Sequence, residues 1–412
     1  MLFILVWCHT TPVSGQFAEG DPGDLGFSHE RLQRLDSYIQ QHVENGQMAG
    51  INTLILKDGK AAYLSSHGMM NIEENIPMRK DAIFRIASMS KAITSVAVMI
   101  LYEEGHFMLN DPVHEYIPEF NNPVVAIPDS TTERGYRTEP AKRPITVRHL
   151  LTHTAGLTYG YGVAEEAYNK AGLTGWYLAG HDETIGSVVK RLARLPLHAH
   201  PGKEWQYGYS TDVLGYFVEV VSGMSFDEFV QKRIYEPLGM TDTHFFLPEH
   251  KSDRLAPVYG TDGNGNLELT EPTSTTDYIH GPRKCFSGGA GILSTITDYG
   301  IFLQMLLNGG EFNGERILSP QSVRLMRVNH VGDMFDSGDA GFGLGFRVIE
   351  DLGAFGELAS DGAYGWGSAY YPVYRLDPEH NMAYLFLTQL RPAGDLPFRN
   401  RFHTLVYQAL NE

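Results

Sequence analysis

The chain has 412 residues, 42% hydrophobic and 20% charged, enough for one large two-lobed unit or two to three ordinary domains around a sizeable core. Its formal charge of -17, with no Lys/Arg cluster to offset it, excludes nucleic acid and anionic membrane surfaces as partners. Two cysteines, Cys8 and Cys285, make no disulfide framework and read as free thiols.

Residues 1–7 are apolar but lack a basic leader and are too short to span a bilayer. They leave open a signal-peptide remnant ending near Val13-Ser14-Gly15. No later segment is long enough for a membrane helix, so the chain reads as cytoplasmic, with a periplasmic or secreted location left open. Residues 1–24 form a terminal segment, and the Gly/Asp-rich stretch 16–28 reads as a linker. Ser28-His29-Glu30-Arg31 then opens a helix carrying Leu32, Leu35 and Ile39. A hairpin follows, 50–56 and 61–64 joined at Lys57-Asp58-Gly59.

The next segment carries chemistry. Ser88-Met89-Ser90-Lys91 is an S-x-x-K tetrad, and residues one helical turn apart share a face. From 83 to 101 the only charges are Arg85 and Lys91, so the helix is apolar on nearly every side and reads as buried, with Gly105 as its stop. Burial forces a lysine toward its neutral form, in which it can take the proton of Ser88. Ser88 falls near the helix N-terminus, where free N–H groups favour a developing oxyanion. A second copy of the pattern, Ser187-Val188-Val189-Lys190, acts as a control. Ile185, Val188, Val189, Leu192 and Leu195 form its apolar stripe, while Ser187, Lys190, Arg191 and Arg194 lie opposite and read as a solvated surface.

Residues 105–285 read as mostly helical with long polar loops, among them 128–144. Ser225-Phe226-Asp227-Glu228 has the form of a capping box. Asp262-Gly263-Asn264-Gly265-Asn266 resembles the start of a calcium loop, but Leu267 stands where that loop needs glycine, and a hairpin tip is the better reading. After Gly288-Gly289-Ala290-Gly291 a helix runs from Ser294-Thr295 to Leu307. The C-terminal part predicts strands over 370–376 and 382–387, then a final helix. Strands at both ends imply one sheet built from 25–104 and 286–412, with 105–285 as a second lobe.

A Ser–Lys pair works better with a third group that passes the proton to the leaving group, and Tyr207 in Trp205-Gln206-Tyr207-Gly208-Tyr209 is the candidate. Ile86-Ala87-Ser88-Met89-Ser90-Lys91, Leu150-Leu151-Thr152-His153-Thr154-Ala155-Gly156-Leu157, the Tyr207 segment and Glu236-Pro237-Leu238-Gly239-Met240 occur in that order. Together they resemble the serine β-lactamase/penicillin-binding-protein superfamily, most of all its class C β-lactamase-like carboxylesterases, often called family VIII esterases, over residues 25–410. The resemblance implies a β-lactamase/transpeptidase-like α/β (α+β) fold, with an antiparallel sheet flanked by helices, a mostly helical lobe, and the site between them. It implies Ser88 as nucleophile, Lys91 as activating lysine and Tyr207 as tyrosine, with Lys91 and Tyr207 a coupled pair whose first base stays open. The superfamily's Lys-Thr-Gly position matches Gly365-Trp366-Gly367-Ser368-Ala369, ahead of a strand from Tyr370. The esterase branch has Trp-Gly-Gly there, so Ser368 is a small departure. By resemblance, the backbone N–H groups of Ser88 and Ala369 form the oxyanion hole, and Tyr209, Trp366, Gly367 and Ser368 meet the substrate.

Two departures bear on substrate. Trp366 stands in place of the lysine that holds a substrate carboxylate, and Tyr209 in place of the asparagine of Tyr-x-Asn. Two aromatics in place of a cation and an amide favour uncharged, apolar esters over β-lactams. No G-x-S-x-G accompanies His153, which reads as packing or capping a turn and not as a triad member. No HExxH, CxxC or Walker loop appears, so neither metal nor cofactor is expected. The expected activity is a serine carboxylesterase acting on small-molecule esters of short to medium chain. A β-lactamase, a D-amino-acid peptidase, an acyltransferase or a silent penicillin-binding-like protein are the alternatives, and the oligomeric state stays open.

Overall fold

The computed structural model describes residues 17–262, 264–335 and 338–411, so the readings made on 1–16, Cys8 included, lie outside the described residues. One eight-stranded sheet runs in the order Ala340–Phe342, Arg347–Ile349, Tyr364–Gly367, Val373–Asp377, Met382–Leu387, Gly50–Lys57, Lys60–Asn71 and Ile76–Pro77. Every neighbouring pair is antiparallel. The two ends of the chain thus meet in one sheet, through pairs such as Thr53 with Phe386. Asp58 and Gly59 turn the first hairpin with φ of 53° and 78°, the left-handed pair that a two-residue type I′ turn needs.

Side chains alternate across the sheet, and both of its faces are covered. Ala383, Leu385 and Leu387 join the core that holds the helix Ile296–Leu307, whereas Met382, Tyr384 and Phe386 join the helices His29–Glu44 and Phe398–Tyr407. That double burial explains why Met382–Leu387 is apolar throughout. The first of these cores continues without a break into the helical middle of the chain, where Ser90–Glu103 packs on Ser210–Ser222. Thr295 caps the helix Ile296–Leu307 by accepting from the Asp298 N–H, as its sequence implies.

Three readings change, and the hairpin tip read at 262–266 holds. The stretch 128–144 is no loop: Tyr136–Pro140 pairs with Val124–Pro128, and an exposed, proline-ended edge hairpin has a polar composition that hides it. Ser225 precedes the helix Phe226–Val230 but makes no side-chain cap; the Phe226 N–H donates to the Glu219 carboxylate instead. The expected hairpin is there, Val258–Thr261 with Leu267–Glu271, and Asp262 closes its tip by accepting from the N–H groups of Asn264 and Asn266. The last strand pair begins at Val373 and not Tyr370. The Ser368 N–H donates to Pro372 and Tyr371 has φ of 81°, so residues 368–372 form a tight turn.

Candidate active site

Ser88 and Lys91 are set by a strand, a turn and a helix in succession. Phe84–Arg85 pairs with Leu293–Ser294, Ala87–Met89 forms one 3₁₀ turn, and the helix Ser90–Glu103 follows. The turn is pinned from outside: the Ile292 N–H donates to Ser90 Oγ, and the Tyr299 hydroxyl donates to the Met89 carbonyl. Ala87, fully buried, has φ of 38°. A non-glycine residue held in that region stores strain of about 1–2 kcal/mol, which the surrounding packing must offset. It directs the turn so that Ser88 opens into the main cavity.

Lys91 is 2% exposed, and its Nζ donates to Ser88 Oγ at 3.4 Å and to the Gly289 carbonyl at 2.7 Å. The same Nζ lies 4.6 Å from the centroid of the Tyr207 ring. Lys91 therefore meets the face of Tyr207, and among the described residues no hydrogen bond joins it to the Tyr207 hydroxyl. Lys190, in the second copy of the pattern, pairs with Glu119 on the surface instead.

Tyr207 sits just before the helix Ser210–Ser222, and Gly208 lets the chain approach its neighbour. A Cβ at 208 would lie 2.3 Å from the Leu157 carbonyl oxygen, so no side chain fits. Trp205 stacks on the Tyr207 ring at 5.7 Å and 14°, and His153 lies 4.9 Å away. The Trp366 Nε1–H donates to the Tyr207 hydroxyl oxygen at 3.1 Å. His153 is buried, and burial first, then the Lys91 charge, pushes its pKa well below the ordinary value. It is a neutral packing partner of Tyr207, in keeping with its reading from the sequence.

These residues open into a cavity of about 580 Å³, lined near Ser88 by Tyr159, Trp176, Tyr207, Phe335 and Trp366. Gly367, Ser368 and Ala369 line it as well, on the strand Tyr364–Gly367 and the turn after it. The N–H groups of Ser88 and Ala369 have no acceptor among the described residues. Tyr209 is the exception among the residues expected at the substrate. It is wholly buried, its hydroxyl donates to the Gly175 carbonyl at 2.5 Å, and it packs behind Tyr159 outside the cavity lining. With Gly208 pressed on Leu157 and Thr158, the chain turns into its helix at Tyr209 and carries the side chain inward.

Asp212 was not anticipated. Fully buried one turn into the Ser210 helix, it accepts from Ser287 Oγ at 2.5 Å and from the Gly289 N–H at 3.0 Å, while its Oδ2 has no partner. Gly289 thus links Asp212, through its N–H, to Lys91, through its carbonyl. Burial raises the Asp212 pKa, against the Ser287 hydrogen bond and the Lys91 charge. One acidic residue in the apolar stretch 210–218 was the available signal. Among the described residues, no group of three or more His, Cys, Asp or Glu side chains could hold a metal ion.

A protein-family model described as beta-lactamase matches residues 35–408. The chain is 34% identical over 372 residues to protein Rv1367c of Mycobacterium tuberculosis, covering 86% of this chain and 89% of that one. It is 29% identical over 380 residues to esterase EstB of Burkholderia gladioli, covering 88% and 91%. Among solved structures, EstCE1, described as a hydrolase with promiscuous acyltransferase activity, superposes with a TM-score of 0.76 at 27% identity over 93% of this chain and 98% of that one. A serine and a lysine one turn apart on a buried helix, an antiparallel sheet and this match over nearly the whole length agree: the chain belongs to the β-lactamase family of serine hydrolases.

Proposed function

We propose that this protein is a carboxylesterase that hydrolyses esters through an acyl-Ser88 intermediate. The observation that carries the choice of ester is Trp366. At the position where the family pattern has a lysine for a substrate carboxylate, the indole donates to the Tyr207 hydroxyl oxygen and adds an aromatic wall to the cavity. An aromatic surface around Ser88, with Trp366 where the pattern has a lysine, suits an uncharged ester group. The likeness to esterase EstB supports the same reading.

In this reading Ser88 Oγ attacks the ester carbonyl carbon as its proton passes to Lys91 or Tyr207. The carbonyl oxygen takes the negative charge and accepts from the Ser88 and Ala369 N–H groups. Collapse breaks the bond to the alcohol oxygen, which receives the proton through Tyr207 and departs, leaving the acyl group on Ser88. Water, losing a proton to the same base, then adds to the acyl carbon, and Ser88 leaves with a proton restored. An alcohol in place of that water gives acyl transfer, which the description of EstCE1 makes worth measuring as alcohol-dependent product. We assign 25–104 and 286–412 to the sheet lobe and 105–285 to the helical lobe.

The test compares turnover of p-nitrophenyl butyrate with that of nitrocefin and of a D-alanyl-D-alanine peptide. Faster hydrolysis of either rival substrate overturns the ester assignment. A fluorophosphonate probe is expected to label wild type and not Ser88→Ala, and equal labelling of both overturns the role of Ser88.

A further inference from the structure

The cavity does not end at the catalytic groups. Beyond Gly367 it continues around the edge of the strand Tyr364–Gly367 to the sheet face covered by the helix Phe398–Tyr407. On that face Gly365 stands between its cross-strand partners Arg347 and Arg375. A Cβ at 365 would lie 2.2 Å from the Tyr374 carbonyl oxygen, so this stretch of floor stays bare backbone. Arg347, Arg375, Arg399, Asn400 and His403 line this arm, and among the described residues no Asp or Glu does.

Arg375 is 8% exposed, and its Nη1 has no hydrogen-bond acceptor among the described residues. Its guanidinium carbon lies 5.4 Å from the centroid of the Phe355 ring, and that of Arg347 lies 5.0 Å from the same ring. Arg347 has Asp339 at 3.6 Å, and Arg399 donates to the carbonyls of Tyr371 and Ser368. Asp377, two residues along the strand from Arg375, is occupied by the hydroxyls of Ser360 and Tyr407. The positive field is felt by His403, whose pKa is pushed well down by burial first and then by Arg375, Arg399 and Arg347. Desolvating a guanidinium is costly, so a buried arginine beside a cavity that no carboxylate among the described residues lines has the character of an anion receptor.

We propose that this arm is a second subsite, centred on Arg375 and Phe355, which binds a carboxylate borne at the far end of the ester substrate. The inference rests on the ester-hydrolase reading and narrows it to half-esters of dicarboxylic acids and other esters with a remote carboxylate. The ester group itself meets the aromatic surface near Ser88, while the charge is received on the other face of the sheet. Gly365 lies four positions before Ala369, which at about 3.3 Å per position is at most roughly 13 Å, so a spacer of several carbons is required.

The experiment measures inhibition of p-nitrophenyl butyrate hydrolysis by suberate and by its uncharged counterpart 1,8-octanediol. In wild type, suberate is expected to inhibit about tenfold more tightly or better, and the gap is expected to close in Arg375→Met. Arg375→Lys, which keeps the charge, is expected to retain part of it and guards against a folding defect in the methionine variant. Equal inhibition by the two compounds in wild type overturns the subsite, as does a gap that survives in a folded Arg375→Met. Loss of butyrate turnover in Ser88→Ala tests the ester reading separately. An enzyme that turns butyrate over yet shows no preference for suberate refutes the subsite and leaves the esterase standing.

Discussion

Trp366→Phe isolates the contact that most distinguishes this site. The change keeps an aromatic ring against Phe342, Phe335 and Tyr207 but deletes the Nε1–H that donates to the Tyr207 oxygen at 3.1 Å. If that hydrogen bond were equally strong in ground and transition states, its loss would not slow the chemical step. In the proposed mechanism it strengthens when Tyr207 hands its proton to the departing alcohol and its oxygen carries negative charge. A hydrogen bond to a charged group contributes about 1.5–3 kcal/mol, against about 1 kcal/mol for a neutral pair. At about 1.4 kcal/mol per tenfold in rate, kcat is expected to fall roughly 10- to 100-fold with KM within a few-fold of wild type. Initial rates on p-nitrophenyl butyrate across a range of concentrations, with thermal melts to confirm folding, provide the measurement. A kcat within threefold of wild type, or a rise in KM alone, would refute the reasoning and make Trp366 a cavity wall only.

The remaining expectations concern the support of the site. Asp212→Asn preserves shape but replaces the carboxyl group that reaches Lys91 through Gly289, so kcat on p-nitrophenyl butyrate is expected to drop about tenfold or more at unchanged KM; wild-type kcat and pH profile would contradict this. Ala87→Val puts a β-branched residue at φ of 38° in a packed site, and a loss of about 2–4 kcal/mol should appear as a lower melting temperature. Tyr209→Phe deletes a hydrogen bond to Gly175 outside the cavity, so melting should shift by the equivalent of about 1 kcal/mol while KM stays put. Asp298, buried in the helix Ile296–Leu307, has its pKa raised from 3.8 to about 6 chiefly by burial, against hydrogen bonds from the Asp242 N–H and Thr243. A raised carboxyl pKa contributes stability that is complete below pH 3.8 and lost as pH rises through about 6. Asp298→Asn should therefore gain on wild type by about 2 kcal/mol between pH 4.5 and pH 7.5, read as the difference in melting temperature, and a flat difference would count against it.

How far the sequence could be read depended on how local each feature is. Ser88 and Lys91 are three residues apart on one helix, so spacing and an apolar run were enough to bring them together. The Asp58-Gly59 hairpin and the Thr295 cap are equally local. The acceptors that hold Lys91 are not: Gly289 lies 198 residues away, and Asp212 reaches it from a third element. Nothing in the pattern at 88–91 announces them. Motif position was also a poor guide to direction at Tyr209, because Gly208 and the helix start behind it decide which of two aromatics two residues apart faces the cavity. Arg347 and Arg375 stayed out of sight because they meet only through strand register across Gly365.

The two S-x-x-K copies show what the pattern does and does not specify. Each places a lysine one turn from a serine, yet Lys190 ends 47% exposed beside Glu119 while Lys91 ends 2% exposed between Ser88, Gly289 and the Tyr207 ring. The difference lies in what the rest of the chain brings to each helix. A buried lysine amine with several good partners is tolerable, and one with none is not. Trp366 extends the same logic to substrate choice. The family pattern has at that position a cation that a substrate anion could neutralise, and here an uncharged donor faces the Tyr207 oxygen instead. Positive charge reappears on the opposite face of the sheet, at Arg347 and Arg375 on the two strands that flank this one. In the reading proposed above, the ester meets the aromatic wall while its far end reaches these arginines, which is why the suberate comparison bears on specificity and the Trp366 variant on rate.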